Sequence, residues 1–177
     1  MPSQMSNPPV TAQANQESHM HRFIFLSIFL FFLTANAQAN NQQEIELLLT
    51  QKDAPFGVVF EIAEGNDDAL QWAVPAVNQY IQQLRERFPG IGLAVVSHGS
   101  EQFGLMKNRK KENTLVHTAV QSLVASDVPV HVCGTHASWR GKTADDFPDY
   151  VDVTPAAPTA IRNYEAMGYV LIEIKKP

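Results

Sequence analysis

Val128-Pro129-Val130-His131-Val132-Cys133-Gly134-Thr135-His136 is the stretch that decides the fold of this chain. Val128 to Val132 reads as a short buried strand, and the residues after it turn the chain into a loop or a helix start. Cys133, the only cysteine in 177 residues, stands at that transition. In parallel α/β sheets ligands bind beyond the carboxyl ends of the strands, so Cys133 is the first candidate for a working atom.

Strand-like and helix-like segments alternate on both sides of this stretch. Val58 to Ala63 is the first strand, and Glu64-Gly65-Asn66-Asp67 turns it into a helix that Asn66 or Asp67 would cap. Leu70, Val74, Val77, Ile81, Leu84 and Phe88 then recur at spacings of three and four, the stripe of a helix packed on a sheet. Pro75 interrupts the pattern, and a start near Val74 would place it harmlessly in the first turn. Pro89-Gly90 ends that helix. Ile91 to Val96 is a nearly all-apolar second strand, as expected where both faces of a sheet are covered. Leu115, Val116, Ala119, Val120, Leu123 and Val124 mark a helix over 111–126 ahead of the third strand, and another helix is expected around Ser138 to Asp146. Tyr150 to Val153 is a fourth strand, Thr154-Pro155 introduces a helix through Met167, and Gly168 terminates it before the last strand, Tyr169 to Ile174. Strands separated by helices imply βαβ units: an α/β fold, three layers α/β/α, with a mostly parallel sheet of about five strands.

The amino-terminal segment reads differently. Arg22 precedes an apolar run, Phe23 to Leu33, broken only by Ser27, and Ala35-Asn36-Ala37 supplies small residues at a cleavage position. Residues 20–37 therefore have the layout of a secretory signal peptide, cleaved after Ala37 or Ala39. The run is shorter than the roughly 20 apolar residues that span a bilayer, so no stable membrane anchor is expected after cleavage. Residues 1–19 are polar and precede Met20, which makes them a possible over-extended start. Residues 38–56 are expected to be a flexible segment and 57–177 the domain. The destination is the periplasm or the exterior, where a lone cysteine has no partner in its own chain for a disulfide. A net charge of −5, with acidic residues spread along the chain, argues against a nucleic-acid footprint. The basic cluster Lys107-Asn108-Arg109-Lys110-Lys111 reads as a solvated loop.

The motifs, taken together, resemble a known group. Val132-Cys133-Gly134-Thr135-His136 followed by Arg140-Gly141, with Val96-Ser97-His98-Gly99 after the second strand and a closing Gly168-Tyr169-Val170, is similar to the DsrE/DsrF-like family from about Gly57 to the end. The resemblance implies a small α/β/α domain, homo-oligomers, and sulfur relay in which the cysteine carries a persulfide to or from a donor or acceptor protein. Thiol redox chemistry would use the same cysteine. Some relatives show Cys-Gly-Thr-Cys. Here His136 takes the second position, so a dithiol couple within the chain is not available.

Around Cys133 the expected site comprises His98, His136 and Arg140. A thiol acts as thiolate, favoured by a helix amino terminus or a nearby cation, and His136 or Arg140 would supply charge if a helix begins near Thr135. His98 ends a neighbouring strand at the same sheet edge. Two other readings use the same atoms. Cys133 can be a packed small hydrophobe in a non-enzymatic binding or assembly module, and His98, Cys133 and His136 together form a weak zinc or copper set. Glu61 and Glu64 lie near the same edge as turn carboxylates, Trp139 as a lid or rim aromatic, and His117 and His131 as packing or surface residues. No glycine-rich nucleotide motif and no serine-hydrolase elbow is present, and no cofactor is expected.

Overall fold

Five short strands form one parallel sheet in the computed structural model, which describes residues 39–176. The predicted start and signal peptide lie outside the described residues. The strands are β1 (Gly57–Ile62), β2 (Gly92–Ser97), β3 (Val130–Cys133), β4 (Asp152–Thr154) and β5 (Tyr169–Ile174). Their spatial order is β4-β3-β2-β1-β5, and every neighbouring pair is parallel.

Helices α1 (Ala39–Leu49), α2 (Leu70–Arg87), α3 (Thr114–Ala125), α4 (Gly134–Trp139) and α5 (Ala157–Ala166) surround the sheet. The direction of travel sorts them between its faces. Going from β1 to β4 the chain steps one way across the sheet, and a right-handed crossover then puts each helix on the same side. The link from β4 back to β5 runs the other way, so α5 belongs on the opposite side. The core obeys this. Val58, Phe60, Leu93, Val95, Val130 and Val132 pack against α1, α2 and α3, whereas Val59, Ala94, Val96 and Cys133 pack against Ala157 and Ile161 of α5.

Three expectations are corrected. The segment 38–56, expected to be flexible, contains α1, whose Ile45 and Leu48 are buried in the main core. Full burial of such side chains is worth about 1.5–3 kcal/mol each, enough to dock a short polar helix. Helix α2 starts at Leu70, not near Val74, and keeps Pro75 in its interior. Burial of Leu70, Ala73 and Val74 in its first turns outweighs the backbone bond that proline removes. The predicted helix over 138–146 is displaced: α4 begins directly at Gly134, and a 3₁₀ turn, Ala144–Asp146, follows later. Gly168, at φ +87°, ends α5 as expected. Among the described residues no helix is long and apolar enough to cross a membrane.

Candidate functional site

Side chains alternate along a strand, so the residues that share the α5 face of the sheet at its carboxyl edge follow from register. Cys133 of β3 and Glu61 of β1 lie on that face, and His98 follows the last residue of β2.

Cys133 is the cap of α4: its Sγ accepts the backbone N–H of His136 at 3.5 Å. The thiol is 5 % exposed and sits among Val59, Ala94, Val96, Ala157 and Ile161. An N–H aimed at the sulfur stabilises negative charge there, because the first N–H groups of a helix have no partner within it. The surrounding apolar wall works in the other direction.

The two histidines have fixed roles. His136 Nδ1 lies 2.7 Å from the backbone oxygen of His98. A carbonyl can only accept, so Nδ1 carries the proton and the neutral ring keeps its lone pair on Nε2. His98 Nε2 lies 2.6 Å from Glu61 Oε1, which assigns Nε2 as the donor by the same logic. His136 is further held between Phe103, edge-on at 5.3 Å, and Trp139 at 5.4 Å. Trp139 is 76 % exposed. Arg140 turns elsewhere. Its guanidinium pairs with Asp67 at 3.2 Å, donates to Ser100 Oγ at 2.7 Å, and covers the Phe103 ring at 4.0 Å. The structure thus brings Cys133, His136 and His98 into one connected edge, and it places Arg140 as a clamp across the loop beside them. Glu64 takes part through its backbone alone: its N–H donates to Glu101.

Two residues that sequence reasoning did not single out complete the edge. Ser100 to Leu105 forms a 3₁₀ turn, in which Glu101 and Gln102 are both fully buried. Glu101 Oε1 accepts from Ser97 Oγ at 2.8 Å and from the Gly99 N–H at 2.9 Å, and Oε2 accepts from the Glu64 N–H at 2.7 Å. Burial pushes this carboxyl above its ordinary range, and these hydrogen bonds oppose the rise. The carboxylate ties the end of β2 to the turn after β1. Gly99 is required there, since a Cβ would stand 2.2 Å from Glu101 Oε2 and 2.3 Å from the Glu64 oxygen. Gln102 Oε1 accepts the backbone N–H of Cys133 at 2.7 Å, while its Nε2 is buried without a partner among the described residues. A buried unpaired donor costs on the order of 1–3 kcal/mol. The available signal was three consecutive polar residues, Ser100-Glu101-Gln102, at the carboxyl end of a strand.

The other histidines are structural ties. His117, fully buried, donates from Nε2 to the Gly104 oxygen and accepts at Nδ1 from Tyr150, and burial pulls its pKa down. His131 links Asp152 of β4, at 2.6 Å, to Tyr164 of α5, at 2.8 Å. Among the described residues no group of three or more His, Cys, Asp or Glu side chains is arranged to hold a metal ion. The His98, Cys133 and His136 side chains do not form such a group.

No family model matches this chain, and no curated protein does. Its fold is that of a solved structure. MTH1491 of Methanobacterium thermoautotrophicum, a protein of unknown function, superimposes with a TM-score of 0.55 at 19 % identity, over 67 % of this chain and 99 % of that one. The YchN protein of E. coli matches over the same shares at 17 % identity with a TM-score of 0.46. The likeness to MTH1491 establishes the open parallel α/β architecture.

Proposed function

We propose that this chain is an exported, homo-oligomeric relative of the DsrE/DsrF-like proteins in which Cys133 accepts sulfur as a persulfide and hands it to a partner. The observation that carries this reading is the cap of α4, where the single thiol sulfur receives a backbone N–H at the carboxyl edge of a parallel sheet. A nucleophilic thiolate is stabilised by such a donor. In the loading step the Cys133 thiolate attacks the outer sulfur of a donor persulfide. The donor's S–S bond breaks as a new one forms on Cys133, the donor leaves as thiolate and takes up the proton Cys133 gave, and nothing is oxidised overall. His136, with Nε2 free to accept, is the base that receives that proton, and the Glu61–His98 pair keeps the edge in register.

A chain with one cysteine cannot resolve its persulfide internally. Discharge therefore requires a thiolate from a second protein, attacking the outer sulfur in the same sense. Exposed Trp139, one helical turn from His136, is the contact for that protein. Burial of the sulfur suits the periplasm or exterior, because oxidation of a thiol follows its exposure.

Alkylation of folded protein with iodoacetamide across pH tests this. Cys133 of the folded protein should be alkylated, and its alkylation should block loading with sulfur; an inert Cys133 removes the proposal. The second reading is a non-enzymatic assembly module in which Cys133 is only a packed residue. Its apolar neighbours Val59, Ala94, Val96, Ala157 and Ile161 favour it. Under it, Cys133→Ser changes stability and nothing else.

A further inference from the structure

We infer that Gln102 is the residue that receives the outer sulfur of a Cys133 persulfide, through its side-chain NH₂. The inference rests on the reading of Cys133 as a sulfur carrier and adds to it a second binding group from a different element.

The orientation of the carboxamide is fixed by its partner. Oε1 takes the Cys133 N–H at 2.7 Å, which leaves the two N–H bonds of Nε2 over. Those bonds are buried and unpaired among the described residues, and the side chain is 0 % exposed. Because Nε2 and Oε1 share one carbon, Nε2 lies within about 5 Å of Cys133 N. An outer sulfur would sit about 2 Å beyond Sγ. The donors cannot swing out to water, because the turn that carries them is pinned on every side. Glu101 fastens it to Ser97, Gly99 and Glu64, Arg140 holds Ser100 and covers Phe103, and the Gly104 oxygen accepts from Asn113 and His117.

Capping the Cys133 N–H needs an acceptor only. A glutamine there brings two surplus donors, which are a cost while they stay unpaired. A bare thiol does little to relieve that cost, since neutral sulfur is a weak acceptor. A persulfide anion carries its charge on the outer sulfur and takes N–H donors as charge-assisted hydrogen bonds. Together with the His136 N–H on Sγ, Gln102 would make a cradle specific for the loaded form.

The test compares wild type, Gln102→Glu and Gln102→Met after loading with a small alkyl persulfide, following the persulfide by intact mass and by its alkylation rate against pH. Gln102→Glu keeps the acceptor for the Cys133 N–H and loses the donors; Gln102→Met loses both. The expected result is that both variants fold, load, and lose the added sulfur about tenfold faster than wild type, with the alkylation midpoint of the loaded form moved to higher pH. Equal lifetimes in wild type and Gln102→Glu overturn the inference and leave the sulfur-carrier reading standing. Wild type that takes up no sulfur overturns both. Should Gln102→Met fail to fold, Gln102→Glu decides alone.

Discussion

Glu101→Gln is the substitution that most directly probes how this edge is held. The side chain is fully buried, and the two shapes are nearly the same, so packing is preserved. Oε1 can still accept from Ser97 and Gly99, but the new NH₂ faces the Glu64 N–H, donor against donor, where Oε2 now accepts at 2.7 Å. A backbone donor left buried and unpaired costs about 1–3 kcal/mol. A net loss of about 1–2 kcal/mol is expected. The pH profile supplies a second signature. Burial raises the Glu101 carboxyl in the folded state above its usual 4.5, so between that value and the raised one the folded protein holds a proton that the unfolded chain has released. Wild-type stability therefore contains a term that falls as pH rises through this window, and the glutamine variant lacks it. Urea unfolding followed by far-UV circular dichroism, in steps from pH 4 upward, gives both quantities. The gap between the two proteins should be widest at the acid end and narrow as pH rises. A variant as stable as wild type throughout, or a gap that widens with pH, refutes the role assigned to this carboxyl.

Other outcomes follow from the same structure. Ile45→Ala should cost about 2–5 kcal/mol in the same unfolding assay, because Ile45 is fully buried in the main core; a loss below about 1 kcal/mol would mean that α1 is not docked in solution. His117, whose pKa is pulled down by burial, is neutral when folded, so between its folded value and 6.5 the unfolded chain binds the extra proton. Stability should accordingly fall as pH drops below about 6.5, and His117→Gln should remove that part of the slope, which proton titration of the folded imidazole by NMR checks independently.

The sheet was legible because its information is local. Val58 to Ile62, Leu93 to Val96 and Tyr169 to Ile174 are apolar runs separated by helical stripes, and such alternation admits few topologies. Helix α1 was overlooked since its asparagines and glutamines conceal a short stripe, Ile45, Leu48 and Leu49, which becomes stable only against β5 and α2. Pro75 misled in the opposite direction: a local rule against proline yielded to burial of the residues before it. The site was half legible. Cys133, His98 and His136 stand at strand ends, where chemistry is expected. Glu101 and Gln102 were not seen, because Gln102 meets Cys133 across 31 residues and Glu101 meets Glu64 across 37, and neither pairing leaves a periodic trace. Arg140 shows the same limit. Its place shortly after Cys133 and His136 suggested a cation for the thiol, but tertiary contacts with Asp67 and Ser100 decide where its charge goes.

The central claim is that Cys133 carries sulfur. Intact mass spectrometry of the folded protein after incubation with an alkyl persulfide tests it most directly. Wild type should gain the mass of one sulfur atom, excess thiol should remove it, and Cys133→Ser should gain none. Wild type that gains nothing, or a serine variant that gains as much, would contradict the claim.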